Sequence, residues 1–240
     1  MPHLIQADNV SDGWLQALAH VLAHEDTECT NLMVNIQRPL QTITVIDNHY
    51  NLFCAENGLT ELRKVADTVF PQRAYEVLQC DRARLYTKSN RIHKAVRGRW
   101  GSYFNQMINW SESSKSVTRN QLEDIITSIN ERDSVHRKAY VIHITNPVLH
   151  LGWPRGGPCL HSVYIQLRPN PREMSIMAVY RSHDFGVKAY GNYIGLGNLL
   201  QFLAKETNFA VGNLSCVSST AFIVAQHKAG LRRIIDEHSA

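Results

Sequence analysis

Cys159 closes a loop rich in glycine and proline, Trp153-Pro154-Arg155-Gly156-Gly157-Pro158-Cys159. Two strand-like runs follow, Ser162 to Leu167 and Ser175 to Tyr180, joined across Pro169-Asn170-Pro171. The second run ends in Arg181-Ser182-His183-Asp184, and Asn192 follows Gly191 at the head of an apolar helix. A hairpin returns its outer ends to one place. This one therefore presents a thiol, a guanidinium, a hydroxyl, a carboxylate and a carboxamide at the ends of adjacent strands. Such a set suits nucleophilic attack on an anionic, hydrogen-bonding substrate.

The elements that must position these groups are legible in outline. Ser11 reads as a helix cap before Trp14, Leu15, Leu18, Val21 and Leu22, which share one helical face. Leu32 to Ile36 and Thr42 to Ile46 read as strands, Asp47 to Gly58 as turn and loop, and Leu59 to Val69 as a helix stopped before Pro71. Thr118 caps a helix with Leu122, Ile125, Ile126 and Ile129 on its apolar face, and Tyr140 to Ile144 reads as a strand. After Asn192 a helix carries Leu196, Leu199, Leu200 and Leu203, all core positions. Val211-Gly212-Asn213 reads as a turn, Leu214 to Val217 as a short strand and Phe222 to Ile235 as an amphipathic helix. Strands and helices mix without regular alternation, so the expected class is α+β, in one domain spanning 1–240.

Composition narrows the function. The chain has 240 residues, 44% hydrophobic, with a net charge of +4. That mild charge suits a small phosphorylated ligand and gives no sign of a nucleic acid polymer. No apolar run is long enough to span a membrane, and no signal segment precedes Asp12. Five unclustered cysteines, Cys29, Cys54, Cys80, Cys159 and Cys216, fit reduced thiols in a cytoplasmic protein. The basic run from Arg82 to Arg99 is a solvated face or a phosphate-facing loop. Cys159 with His143, His150, His161 and His183 offers no C-x-x-C or H-x-x-x-H spacing, so no metal is expected there. The Gly-x-Gly between Gly191 and Gly197 follows no βα unit and reads as close helix packing, not as a dinucleotide loop.

Taken together, the segments resemble the thymidylate synthase family, which includes the pyrimidine nucleotide hydroxymethylases. Pro158-Cys159 is similar to its nucleophile loop, and Arg181-Ser182-His183-Asp184 to its Arg-Ser-x-Asp strand end. Asn192 lies eleven positions after Arg181, where the family keeps the residue that reads the pyrimidine edge. Val211-Gly212, Tyr103-x-x-Gln106-x-x-x-Trp110 and Asp133-Ser134 with Arg137-Lys138 resemble further segments in the same order. The resemblance implies a mixed sheet with a long central helix and a homodimer formed through the sheet. It implies a one-carbon transfer from 5,10-methylenetetrahydrofolate to C5 of a pyrimidine nucleotide monophosphate. Cys159 would be the nucleophile, with Tyr103 and Asp184 beside it on the proton-transfer and folate sides. Arg181 and Ser182 would bind the phosphate, Asn192 the base, and Arg137 and Lys138 the phosphate of the partner subunit.

Departures from the family are as informative. The stretch that should hold the sugar hydroxyl is Thr220-Ala221-Phe222-Ile223-Val224, apolar where the family is polar. Leu160 follows the nucleophile in place of histidine, and Tyr180 precedes Arg181 in place of glutamine. The family's helical glutamate has only Glu61 and Asp67 as candidates. The 17 residues after Ile223 (224–240) are few for the family's closing segment. Water would then be harder to exclude, which tilts the expected product from methyl towards hydroxymethyl.

Overall fold

The structure is a computed structural model that describes residues 2–95, 101–111, 117–131, 136–150 and 156–238. Trp153 to Arg155, Asp133-Ser134 and Arg97 with Arg99 lie outside the described residues. In chain order the elements are β1 (His3–Asn9), α1 (Val10–Leu22), β2 (Glu28–Arg38), α2 (Thr44–Glu56), α3 (Leu62–Val69), α4 (Gln72–Val77) and α5 (Arg82–Ala95). There follow α6 (Tyr103–Ile108), α7 (Gln121–Asn130), β3 (Val141–His143), α8 (Pro147–His150), β4 (Leu160–Pro169), β5 (Arg172–Tyr180) and β6 (His183–Asp184). The last elements are α9 (Ala189–Glu206), β7 (Ala210–Phe222) and α10 (Lys228–His238).

Among the described residues the strands form one mixed sheet in the order β1-β2-β7-β5-β4-β3, with β6 extending alongside β7. The hairpin β4–β5 is antiparallel, β5 runs parallel to β7, and β7 is antiparallel to β2. Alternation gives the sheet two unlike faces. Val34, Ile36, Leu214, Cys216, Ile176, Ala178, Val163 and Ile165 point into the core. Met33, Val217, Met177, Val179 and Tyr164 point the other way and are only partly covered.

Helix α9 lies at the centre, with 13 of its 18 residues buried. A helix buried nearly all round must be packed on several sides. The sheet, α1, α7 and α3 supply those sides. Glycines make the approach of α3 possible. A Cβ on Gly191 would meet Val65 at 2.6 Å, and one on Gly195 would meet the Ala66 carbonyl oxygen at 2.5 Å. The Gly-x-Gly run is thus a packing surface, as its sequence context indicates.

Several boundaries differ from the sequence reading. Thr42 to Gly58 is not strand and loop; most of it is α2, which buries Ile46, Tyr50, Phe53 and Cys54 on one face. The β-branched run from Thr42 to Ile46 favours a strand locally, but that i, i+4, i+7, i+8 burial overrides it. The cap of α1 is Asn9, whose side chain accepts from the Asp12 amide, not Ser11. Phe222 ends a 13-residue strand that also absorbs the expected turn at Val211-Gly212-Asn213. The basic run is helix α5: Arg84, Lys88 and Arg91 are exposed, while Arg82 bridges Glu123 and Glu206 at 2.8 and 2.6 Å. The solvated-face alternative therefore holds for the three exposed cations.

The α3–α9 contact yields a stability prediction. Alanine is a better helix former than glycine by about 1 kcal/mol, yet overpacking against a backbone oxygen costs about 1–3 kcal/mol. Gly195→Ala should therefore lower the urea unfolding free energy, by up to roughly 2 kcal/mol. Equal or greater stability in the variant would contradict the close contact.

Candidate active site

The hairpin holds Cys159 and Arg181 together through the backbone. The Arg181 amide donates to the Cys159 carbonyl at 3.0 Å, continuing the β4–β5 ladder one step beyond Leu160 and Tyr180. The Arg181 guanidinium then bonds the loop itself, with Nε 3.1 Å from the Pro158 carbonyl oxygen and Nη2 3.5 Å from that of Gly157. The ladder carries one extra residue on β4 between Leu160 and Ser162. Such bulges turn a side chain to a new direction.

Cys159 is half-buried, and burial is the main influence pushing its thiol up. The nearby Arg181 charge pulls the other way, and Asp184 adds to the upward push. Tyr103 opens α6, behind a Ser102 side chain that accepts from the Asn105 amide. Burial pushes its phenol up to about 12, against backbone hydrogen bonds from Leu160 and Cys159. Tyr103 is thus neutral and fixed against the cysteine loop.

Asp184 ends β6 at the turn into α9. Its Oδ1 accepts from the amides of Gly186 at 3.0 Å and Val187 at 3.1 Å. Burial raises its carboxyl, opposed by those amides and by the charges of His227 and Lys188. The turn is pinned from the amino-terminal part of the chain: Trp14 Nε1 donates to the Phe185 carbonyl at 3.0 Å and the Tyr50 hydroxyl to that of Gly186 at 3.1 Å.

Asn192 lies in the first turn of α9, not ahead of it, and is buried. Its Nδ2 is 3.1 Å from His183 Nε2, while His183 Nδ1 is 3.0 Å from Ser218 Oγ. With the amide donating to Nε2, the imidazole proton sits on Nδ1 and is given to Ser218. Burial holds the His183 pKa down to about 3, so the ring is neutral and stacks on Tyr180 at 3.9 Å. Sequence reading treats position 183 as a spacer; the structure makes it the residue that orients Asn192.

Cys159 thus lies close enough to Arg181, Asp184 and Tyr103 to feel each of them, while Ser182 sits in the link between β5 and β6 and Asn192 on α9, bonded to His183. Arg137 and Lys138 do not join them in the same chain. They are exposed, and the Arg137 carbonyl accepts from Leu167 near the far end of β4. Seven residues of strand separate Leu167 from Leu160, roughly 23 Å at the usual rise.

Neither candidate for the helical glutamate is placed at Cys159. Asp67 faces Arg63 and Arg73 in a depression of about 600 Å³ whose lining includes none of the residues above. Glu61 is exposed and paired with Lys64. Phe222, from the stretch expected to hold the sugar hydroxyl, pairs in register with Asp184. A residue missed in the sequence is His227: it is buried beside Asp184, and its Nδ1 has no hydrogen-bond partner among the described residues. Reading Phe222 to Ile235 as one helix hid the short 3-10 turn, Ala225–His227, that turns it inward. Cys216 is fully buried, as its strand position suggests.

The thymidylate synthase family model matches residues 81–239, and the chain belongs to that family. Two relatives, from Methanosarcina mazei and Methanosarcina acetivorans, are each named "Putative thymidylate synthase". Each is 23% identical over 226 residues, covering 92% of this chain and 88% of the relative. Members of the family transfer a one-carbon unit to a pyrimidine nucleotide, in general with methylenetetrahydrofolate, and are commonly dimeric. No helix among the described residues is long and apolar enough to cross a membrane.

Two pH dependences follow. Alkylation of Cys159 by iodoacetamide, followed by mass spectrometry, should rise with pH and reach its midpoint above the ordinary thiol range of about 8.5. Arg181→Ala should move that midpoint up and Asp184→Asn should move it down. His183 is neutral when folded and protonated when unfolded below about 6.5. Its contribution to stability is full above that pH and is lost as pH falls towards 3. In that window wild type should lose up to roughly 1.4 kcal/mol per pH unit more than His183→Gln in urea titrations.

Proposed function

We propose that this protein transfers a one-carbon unit from 5,10-methylenetetrahydrofolate to C5 of a pyrimidine nucleotide monophosphate, with the Cys159 thiolate adding to C6 of the ring. The observation that carries this reading is the convergence of the Cys159 thiol, the Arg181 guanidinium and the Asp184 carboxylate. Residues 1–240 are read as one domain of the family.

Arg181 uses Nε and one terminal nitrogen on the loop, which leaves donors of its fork for a phosphate. Ser182 adds a hydroxyl beside it. Asn192 has one amide hydrogen on His183, so its carbonyl and other hydrogen are available to N3–H and O4 of a base, an arrangement that favours uracil. Tyr103 is the neutral group positioned to take or give a proton at C5. On the folate side stands Asp184. Both bonded amides fall on Oδ1, so among the described residues Oδ2 is left to accept from a pterin N–H, and the donor set fits. When bound, the folate supplies the one-carbon unit.

Hydroxymethyl is favoured slightly over methyl as the product. Arg181 and Val224 are exposed at this end of the sheet, which gives water a way in. A homodimer through the sheet is read from the partly covered face that carries Met33, Met177, Val179, Val217 and Tyr164. Pairing there would let Arg137 and Lys138 of one subunit serve the phosphate of its partner. The second reading is a nucleotide binder without activity, or a relative acting on a different heterocycle; the apolar Phe222 beside Asp184 and the raised Cys159 thiol favour it.

Tritium release from C5-labelled dUMP, UMP, dCMP and CMP separates these readings. Release from one nucleotide in the presence of methylenetetrahydrofolate, reduced at least roughly 1,000-fold in Cys159→Ala, is the expected result. Tight nucleotide binding with no release, or release unchanged in Cys159→Ala, would overturn it. The mass of the product distinguishes a methyl from a hydroxymethyl group.

A further inference from the structure

Outside the candidate active site, the sheet edge carries a second cluster of groups that can donate to a metal. His20 lies in the last turn of α1, His24 two residues past its end, and Cys29 is the second residue of β2, an H-x3-H-x4-C spacing. A ligand atom from each of His20, His24 and Cys29 lies within 4.8 Å of the other two. Around a zinc ion at its usual bond lengths, donor atoms sit roughly 3.3–3.8 Å apart. Small side-chain movements would close the difference.

The surroundings suit a cation. The cluster lines an open depression of about 400 Å³ whose other walls include His3, Asp26 and Glu28. His24 Nδ1 lies 2.9 Å from the His20 carbonyl oxygen and can only donate there, which leaves the Nε2 lone pair free for an ion. His3 stacks on His20 with ring centroids 3.7 Å apart and fixes its plane. The loop between the ligands is anchored as well: Thr27 exchanges two hydrogen bonds with Ile223, both 3.0 Å, one from its hydroxyl and one to its carbonyl.

We infer that His20, His24 and Cys29 bind a divalent transition metal, zinc foremost, with water in the fourth position. Two imidazoles and a thiolate are a nitrogen–sulfur set that selects zinc over magnesium or calcium. The bound ion would tie the end of α1 to the start of β2. Two of the carboxylates near it, Asp26 and Glu28, would balance the net positive charge left after Cys29 loses its proton. This unit lies outside residues 81–239, and the site is independent of the one-carbon chemistry.

The test uses the full chain, stripped of metal by chelation and kept reduced, and titrated with Co2+ as the probe. One equivalent should produce a thiolate-to-cobalt charge-transfer band and the intense visible bands of a four-coordinate ion, and Zn2+ should displace it. Cys29→Ser should abolish the charge-transfer band, and His24→Ala should weaken Zn2+ binding about 100-fold. His49→Ala is the control, because His49, Glu237 and His238 form a second close group without sulfur. It should leave the band unchanged. A missing charge-transfer band, a band that survives Cys29→Ser, or Zn2+ affinity unmoved by His24→Ala would each overturn the assignment. Circular dichroism of each variant confirms that a lost band is not a lost fold.

Discussion

One backbone hydrogen bond, from the Arg181 amide to the Cys159 carbonyl, sets the geometry of the candidate active site. It carries the β4–β5 ladder past the last regular pair, so Cys159 and Arg181 are adjacent because the hairpin requires it. Their side chains do not have to find each other across a flexible gap. Every other contact in the site builds on that closure. The guanidinium seals the loop by binding two of its carbonyls, and Tyr103 takes the amides on the other side.

Behind this strand end lies a turn that could not stand alone. Phe185 and Gly186 are buried, and buried carbonyls without partners are costly. Trp14 and Tyr50, from α1 and α2, donate to them. Trp14 also stacks on Tyr190, 4.5 Å away, at the start of α9. The amino-terminal helices therefore hold Asp184 and Asn192 in place although they contribute no group to the proposed chemistry. This gives a physical reason for residues outside the family match to be part of the same folded body.

Much of this was legible in the residues. The hairpin, the buried helix after Asn192 and the apolar face of α7 follow from periodicity and from the turn at Asn170-Pro171, because those segments bury what their local spacing says they should. The α2 segment misleads because three β-branched residues, Thr44, Val45 and Ile46, open it, and only the tertiary contacts of Tyr50 and Phe53 settle its form. In the site, Cys159, Arg181 and Asp184 announce themselves by type and order. His183 and His227 do not, since nothing in a single sequence distinguishes a buried, orienting imidazole from a spacer. His20 and His24 do carry a readable H-x3-H spacing, but far upstream of the cysteine loop.

The bulge in β4 has a further consequence. Val163, Ile165 and Leu167 point inward, and Cys159 shares their odd parity, so an unbroken strand would have sent its sulfur into the hydrophobic interior. The extra residue shifts the count by one, giving Leu160 the fully buried place and leaving Cys159 half-buried at the edge of the core. Which way this sulfur faces is then a matter of counting: a single-residue deletion there would turn the thiol of Cys159 into the interior without altering one atom of its chemistry.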